Sequence, residues 1–389
     1  MKLWRGYLVA AILTVFSLAL NEFAKTHTML VDMLWPYITR TYQTFMSGWS
    51  SGVSFCLWQL LVVAFVMVVV TFIVLMIIFK WNPIQLVGWV LAGVSLVFLL
   101  HTGIYGLNAH AGSIADDIHL VETEYTLAEL EEAAIYYRDK ANALAEQVSR
   151  DGNGEVSFAE FDQLAAKAYD GFDTLVYDHS CSVFAGAKDP VKQLGWADMF
   201  SSMGITGVTI GITGEAAVNP QIPATALPFT MCHEMAHRMS IATERDANFA
   251  GFLGCRFNED VEFQYSAYFM AYRYCYSSLI SVGASSAASR VNAGVSKLLQ
   301  RDMESYDRFF REARDEKATE TANKANDTLL KFSGDESGIA SYGEVTDLLV
   351  SWHIQEVVLP TKQEAEQKFD PYDPNQVDLT GLPNDPATP

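Results

Sequence analysis

Apolar and polar positions are distributed very unevenly along this chain. Residues 7–23 (YLVAAILTVFSLALNEF) are almost free of charge and follow Lys2 and Arg5. Residues 57–79 (LWQLLVVAFVMVVVTFIVLMIIF) form an apolar run of 23 with no charged side chain. As a helix this run would be about 35 Å long, enough to cross the hydrocarbon core of a bilayer. Residues 84–104 (IQLVGWVLAGVSLVFLLHTGI) form a third run, entered through a Pro-containing turn and followed by Tyr105. Together they predict a membrane region over 1–105 with three transmembrane helices, at about 7–23, 57–79 and 84–104, rather than buried core helices. A cleaved signal peptide is the alternative for the first run, but the following LNEFAKTH has no small-x-small cleavage site, so an uncleaved span is favoured.

Beyond residue 105 the pattern changes. Residues 126–148 (TLAELEEAAIYYRDKANALAEQV) place apolar side chains at helical spacing between charges, and 158–170 repeat that pattern. Further helices are predicted over Tyr265 to Ile280, over Val291 to Arg314 and onward to about 360. ITGVTIGIT (205–213), β-branched and alternating with glycine, predicts a short strand. Just past it, Glu215 and Asn219 are candidates for substrate contact, with ordinary turn chemistry slightly favoured. The final stretch, 361–389, is rich in Pro, Asp, Asn and Gln and predicts a disordered acidic tail. The fold class is mainly α, with N-terminal transmembrane helices followed, over 106–360, by a mostly helical α+β domain with a small sheet.

Half the residues are hydrophobic, yet the net charge is −20. The two facts agree only because the apolar residues concentrate in the first quarter. That charge excludes a nucleic-acid partner and leaves membrane lipid as one partner. Lys2, Arg5 and Lys80 flank the spans and predict a cytoplasmic location for those ends, which puts residues from about 106 onward outside. Among the five cysteines there is no CxxC pair, and buried free thiols are favoured. The segment SRDGNGEVSFAEF resembles a calcium-binding loop, with Asp151, Asn153 and Glu160 at its third, fifth and twelfth places. Its first place is Ser149 rather than an aspartate. A Gly-containing turn is therefore favoured over calcium at Asp151, Asn153 and Glu160.

The most specific chemistry lies in MCHEMAHRMSIATERDAN, residues 231–248. His233 and His237 are four apart, so on a helix both imidazoles point the same way. With Glu234 between them this is the HExxH pattern, in which two imidazoles bind zinc and the glutamate acts as general base on a zinc-activated water. A hydrolytic zinc site needs a third protein ligand, and Glu244 is the natural one. On one continuous helix it would lie about 10 Å beyond His237, out of reach. The chain must therefore reverse between Arg238 and Thr243. Thr243 followed three residues later by Asp246 looks like the start of a second helix. One turn below Glu244 on that helix, Asn248 is the candidate to orient a histidine by bonding its free ring nitrogen. Asp246 is a rival ligand ranked second, because it falls off the face that Glu244 shares with Asn248.

HExxH followed by E-x-x-A-N resembles the gluzincin group of zinc peptidases. More closely, ITGEAAVNPQIPATALPFTMCHEMAHRMSIATERDANFAGFLGC, with YSAYFMAY after it and GIASYGEVTDLLVSW near the end, is similar to the bacterial membrane-protein family called domain of unknown function 3810. The resemblance covers most of residues 60–355 and implies a zincin-like fold, Zn2+ held by His233, His237 and Glu244, and a catalytic Glu234. Asn248 stands where better-studied gluzincins have an aspartate, and Ser240 where a helix-ending glycine is expected.

The function expected from these readings is a membrane-anchored zinc metallopeptidase of the bacterial cell membrane. It would be multi-pass, with its catalytic domain on the extracytoplasmic side and a peptide or protein as substrate. Tyr342 is the first candidate for the donor that stabilises the oxyanion, and His353 the second. The alternatives are a non-proteolytic metal-binding sensor or scaffold at the membrane, and a calcium-responsive surface protein.

Overall fold

The computed structural model describes residues 4–80, 82–333 and 341–361, without the side chains of 332, 333 and 341–343. The three apolar runs are helices α1 (Arg5–Thr26), α3 (Leu57–Phe79) and α4 (Pro83–Ile104). All three are long and apolar enough to cross a membrane. The chain enters α4 through Asn82, whose side chain accepts a hydrogen bond from the Ile84 amide, and through Pro83, whose missing N–H costs nothing at that place. α1 and α4 cross at two glycines. A Cβ on Gly6 would lie 2.5 Å from the Gly88 carbonyl carbon, so the backbones meet only because both positions lack side chains. A buried hydrogen bond of 2.7 Å between the Ser17 and Thr102 hydroxyls joins the same pair further along. α3 is apolar all round, and of its residues only Gln59 is buried.

Between the first two apolar helices lies α2 (Thr28–Ser50), which the hydropathy pattern does not announce. Its buried face is polar: Thr39, Gln43, Ser47 and Ser50. These side chains make hydrogen bonds to protein groups. Gln43 donates to the Gly211 carbonyl at 3.1 Å and Tyr42 to the Ile212 carbonyl at 2.8 Å. Residues on both sides of position 105 thus build the helical domain.

That domain is packed around one long helix. α5 (Leu127–Ala145) starts with a capping box between Thr126 and Glu129. α6 (Leu227–Arg238) and α7 (Glu244–Arg256) pack against each other and against α8 (Val261–Ser281). α9 (Lys297–Ala313), α10 (Glu316–Ser333) and α11 (Ser341–His353) complete it. The core between α5, α7, α8 and α11 is largely aromatic, with Tyr137, Phe252, Tyr268 and Trp352 in edge-to-face or tilted contact. Two predicted helices are broken. The 158–170 segment resolves into short helices Phe161–Lys167 and Asp170–Tyr177, and 291–314 is interrupted at Gly294 between Ser285–Ala293 and α9. The tail from 362 onward lies outside the described residues.

The sheet has three strands, β1 (Lys192–Gln193), β2 (Gly207–Ile210) and β3 (Glu215–Val218), in the order β1-β3-β2. β1 runs parallel to β3, and β2 antiparallel, with Gly207 opposite Val218 and Ile210 opposite Glu215. The predicted strand is thus real but shorter, and the following segment, favoured as a turn, is the buried central strand. Glu215 does not face a substrate. Its carboxylate accepts hydrogen bonds from the amides of Leu57 (2.7 Å) and Trp58 (2.9 Å) and pairs with buried Lys192 at 2.7 Å. It thereby caps α3, where the helix's unsatisfied amides favour a negative charge. Asn219 is likewise buried and donates to the Ser201 hydroxyl at 2.8 Å.

Candidate metal centre

α6 begins with Pro228 in its first turn and is buried along its whole length. Helical spacing stacks His233 and His237, ring centroids 4.6 Å apart with planes at 85°. The chain then reverses as the spacing argument required. Ser240 adopts the left-handed conformation (φ 73°) usually taken by glycine there. Its amide bonds the His237 carbonyl at 3.0 Å, and the Ile241 amide bonds the Ala236 carbonyl at 3.2 Å. α2 supports this turn from outside. Thr39 donates to the Ser240 hydroxyl at 2.9 Å, and Arg40 Nε to the Met239 carbonyl at 3.1 Å. Thr243 caps α7 by accepting from the Asp246 amide at 3.2 Å, and Glu244 opens the helix.

The reversal brings Glu244 Oε2 to 3.3 Å from His233 Nε2 and 3.6 Å from His237 Nε2. Ligand atoms held at about 2.0–2.1 Å around a tetrahedral ion would be about 3.3–3.4 Å apart, so these two separations are close to those of donors sharing one metal ion, and all three ligand atoms lie within 4.8 Å of one another. Two buried polar atoms there, His233 Nδ1 and Glu244 Oε2, have no hydrogen-bond partner among the described residues. An oxygen desolvated in that way is stable only beside positive charge. His237 Nδ1 lies 2.8 Å from the Ile241 carbonyl oxygen. Since that oxygen only accepts, Nδ1 carries a proton, which leaves Nε2 on the side of Glu244 as the nitrogen that can take either a metal ion or a second proton.

The electrostatics point the same way. Burial pulls the His237 pKa down, but Glu244 more than offsets this and raises it to about 9. Burial pushes the Glu244 carboxyl up, yet the imidazoles of His237 and His233 hold it well below the usual carboxylate range. Without metal, a proton takes the place that the site provides for a cation. For Glu234 burial dominates over the pull of His233 and His237, so its pKa is raised. Its Oε2 accepts from the Thr209 hydroxyl at 2.7 Å. β2 passes directly over it: a Cβ on Gly207 would lie 2.5 Å from Glu234 Oε1.

Two of the supporting roles fall differently from the sequence reading. Asp246 is turned away, accepting from the Ser113 hydroxyl (2.9 Å) and the Ile114 amide (3.4 Å), and is no ligand. Asn248 makes no hydrogen bond to a histidine: its Oδ1 accepts from Tyr274 at 3.0 Å. The nitrogen of His237 is instead held by Ile241 and by the hydroxyl of Tyr105, also at 2.8 Å. Tyr105, Thr209 and Gly207 come from distant parts of the chain, and no local spacing ties them to the histidine helix. The side chain of Tyr342 lies outside the described residues. His353 is buried with its ring 4.9 Å from that of Tyr136, against α5.

In the loop at 149–160, Asp151 accepts the amides of Asn153 and Glu155, both at 2.9 Å, and the Gly154 carbonyl is bonded by Arg150 and Arg301. Asp151 and Glu160 join no cluster of three potential ligands among the described residues, whereas His233, His237 and Glu244 do. All five cysteines are free and buried.

Three bilayer-length apolar helices, a helical domain docked at one end of them and a buried His-His-Glu cluster define a membrane-associated protein with a candidate metal centre. The chain belongs to the family described as protein of unknown function (DUF3810), whose model matches residues 32–350. Comparison with curated proteins and with solved structures gives no match.

Proposed function

We propose that this protein is a membrane-anchored, zinc-dependent metallopeptidase of zincin-like type. The observation that carries this reading is the Glu244 oxygen placed 3.3 and 3.6 Å from two imidazole nitrogens, with Glu234 on the same helix. A two-nitrogen, one-oxygen donor set suits zinc and leaves a fourth position open. Bound there, zinc supplies Lewis acidity that polarises a carbonyl and acidifies water.

The remaining steps belong to the chain. Glu234, its pKa raised by burial, takes the proton of the attacking water and returns it to the leaving amine. Thr209 fixes the carboxylate during both transfers. β2 is one of the two outer strands of its sheet, and an extended peptide can add to such an edge by main-chain hydrogen bonds. Gly207 lets that strand lie against Glu234. Tyr105, hydrogen-bonded to His237, positions the imidazole. Arg5 and Lys80 lie at the ends of α1 and α3 remote from the domain, which by the positive-inside rule favours an extracytoplasmic catalytic domain.

One observation favours the second reading, a non-proteolytic metal-binding sensor or scaffold. His233, Glu234, His237 and Glu244 are all buried, at most 9% exposed, as in a closed structural site. The full-length protein in detergent separates the two. Glu234→Gln retains one zinc per chain by mass spectrometry and loses at least about a hundredfold in peptide hydrolysis, whereas Glu244→Ala loses the zinc. Equal zinc in Glu244→Ala and wild type removes the site, and unchanged hydrolysis in Glu234→Gln removes the mechanism.

A further inference from the structure

Helix α2 is inverted in polarity: its hydrophilic side is buried and its apolar side is exposed. Leu34, Tyr37, Ile38, Phe45 and Trp49 recur at helical spacing on the outer side and are between 44% and 75% exposed. Only two residues of the helix are charged, and both are bonded to the domain. Asp32 accepts from the Gly112 amide at 2.8 Å, and Arg40 donates to the carbonyls of Met239 and Ser182 at 3.1 and 3.2 Å. A helix of 23 residues is about 35 Å long. An apolar face of that length is not left to water on a folded domain, and marks a surface that meets lipid or protein.

The neighbouring spans identify which. α1 and α4 run side by side in the same direction, since Thr14 meets Ser95, Ser17 meets Thr102 and Asn21 meets His110. Both therefore end at the pole where the domain sits, and α3 starts there, its first amides bonded by Glu215. α2 leaves from the end of α1 and finishes shortly before α3, so it runs between span ends on one side of the bilayer rather than across it. Along the way the Trp35 indole donates to the Gly103 carbonyl in the last turn of α4 at 2.9 Å, and Lys192 reaches both Glu215 and the Ser50 carbonyl, at 2.7 and 2.8 Å. We infer that α2 lies along the membrane interface, with its apolar face in the lipid of the leaflet nearest the domain, and that it holds the candidate metal centre at headgroup depth. Tyr37 and Trp49 suit that boundary, each having an apolar ring and a polar tip. An interfacial helix sinks its apolar face about 5–10 Å into the headgroup–acyl boundary, and a helix is about 10–12 Å thick, so its opposite face reaches the headgroups. On that opposite face Thr39 bonds Ser240 of the reversing turn and Gln43 bonds Gly211, just beyond β2. The partner of this surface is the lipid itself, and the placement holds whether the metal centre is catalytic or structural.

The test uses the full-length protein in nanodiscs of phosphatidylcholine and phosphatidylglycerol, with a single nitroxide at Ile38→Cys, Phe45→Cys or Trp49→Cys. Val66→Cys, near the middle of α3, and Glu124→Cys, on the domain, serve as lipid and water references, and the native cysteines are buried. Collisions of each label with oxygen, which concentrates in lipid, and with a water-soluble nickel chelate are read by power-saturation electron paramagnetic resonance. The oxygen-to-nickel collision ratio at 38, 45 and 49 is expected to exceed that at 124 by about tenfold and to stay below that at 66, as for a shallow position in the leaflet. A ratio equal to that at 124 puts the face in water and overturns the inference. Loss of collisions with both reagents also overturns it, because protein then covers the face, whether a second copy or another chain. A parallel measurement needs no substitution: wild-type protein in the same nanodiscs, doped with a lipid bearing a photoreactive group on its acyl chain, is irradiated and digested. Adducts are expected on the segment 34–49 as well as on the three spans, and adducts confined to the spans overturn the inference.

Discussion

At the residue scale, the geometry of the candidate metal centre depends on one nitrogen being held from two sides. His237 Nδ1 meets the Ile241 carbonyl on the reversing turn and the Tyr105 hydroxyl at the end of α4. Such outer partners set ring orientation and donor strength, and their loss commonly weakens metal binding by about 10–100-fold. Tyr105→Phe is therefore expected to lower zinc affinity by about tenfold in competition with a chromophoric chelator, with stability little changed because the aromatic packing is kept. A second expectation concerns pH. His237 is raised from 6.5 to about 9 in the folded apo protein, so its contribution to stability is fully present below pH 6.5 and is lost as pH rises through about 9. Thermal unfolding of the metal-free protein should show Tm falling across that window. Saturating zinc, which replaces the proton, should abolish the fall. A metal-free Tm that stays level from pH 6.5 to 9 would contradict this charge arrangement.

At the scale of elements, legibility followed from how each one is solvated. The three apolar helices face surroundings that their residues advertise, so length and hydropathy suffice. α2 buries hydroxyls and an amide against protein carbonyls. A pattern that equates polar with exposed passes over it. The reversal between Arg238 and Thr243 was deducible from Glu244's reach alone. The support that lets Ser240 stand where glycine is expected comes from Thr39, some 200 positions earlier, and no local signal carries it. Glu215 was misplaced for a related reason: a carboxylate after a strand looks available until Lys192 and the first amides of α3 are seen around it. Glu215→Gln leaves Lys192 buried without its counter-charge and weakens the cap of α3. It is expected to destabilise the protein by about 3 kcal/mol, measured by denaturant titration in detergent. A loss below about 1 kcal/mol would mean that water reaches the ammonium.

At the scale of the whole molecule, the ends of α1 and α4 and the start of α3 all meet the helical domain, which places the turn at Lys80 at the opposite pole. Lys80→Cys is expected to react with a membrane-impermeant maleimide only after cells are opened, whereas Glu122→Cys, on the domain, reacts in intact cells. The five native cysteines are buried and contribute little background. Labelling in the reverse order would put the metal centre in the cytoplasm. The link between Tyr105 and His237 carries a mechanical consequence for the assembly. Tyr105 is the first residue beyond α4, so a bilayer thicker or thinner than the apolar length of that helix tilts or slides it and displaces the phenol oxygen. An imidazole tied to that oxygen registers the displacement, and lipid acyl-chain length thereby becomes a variable of the geometry of the candidate metal centre.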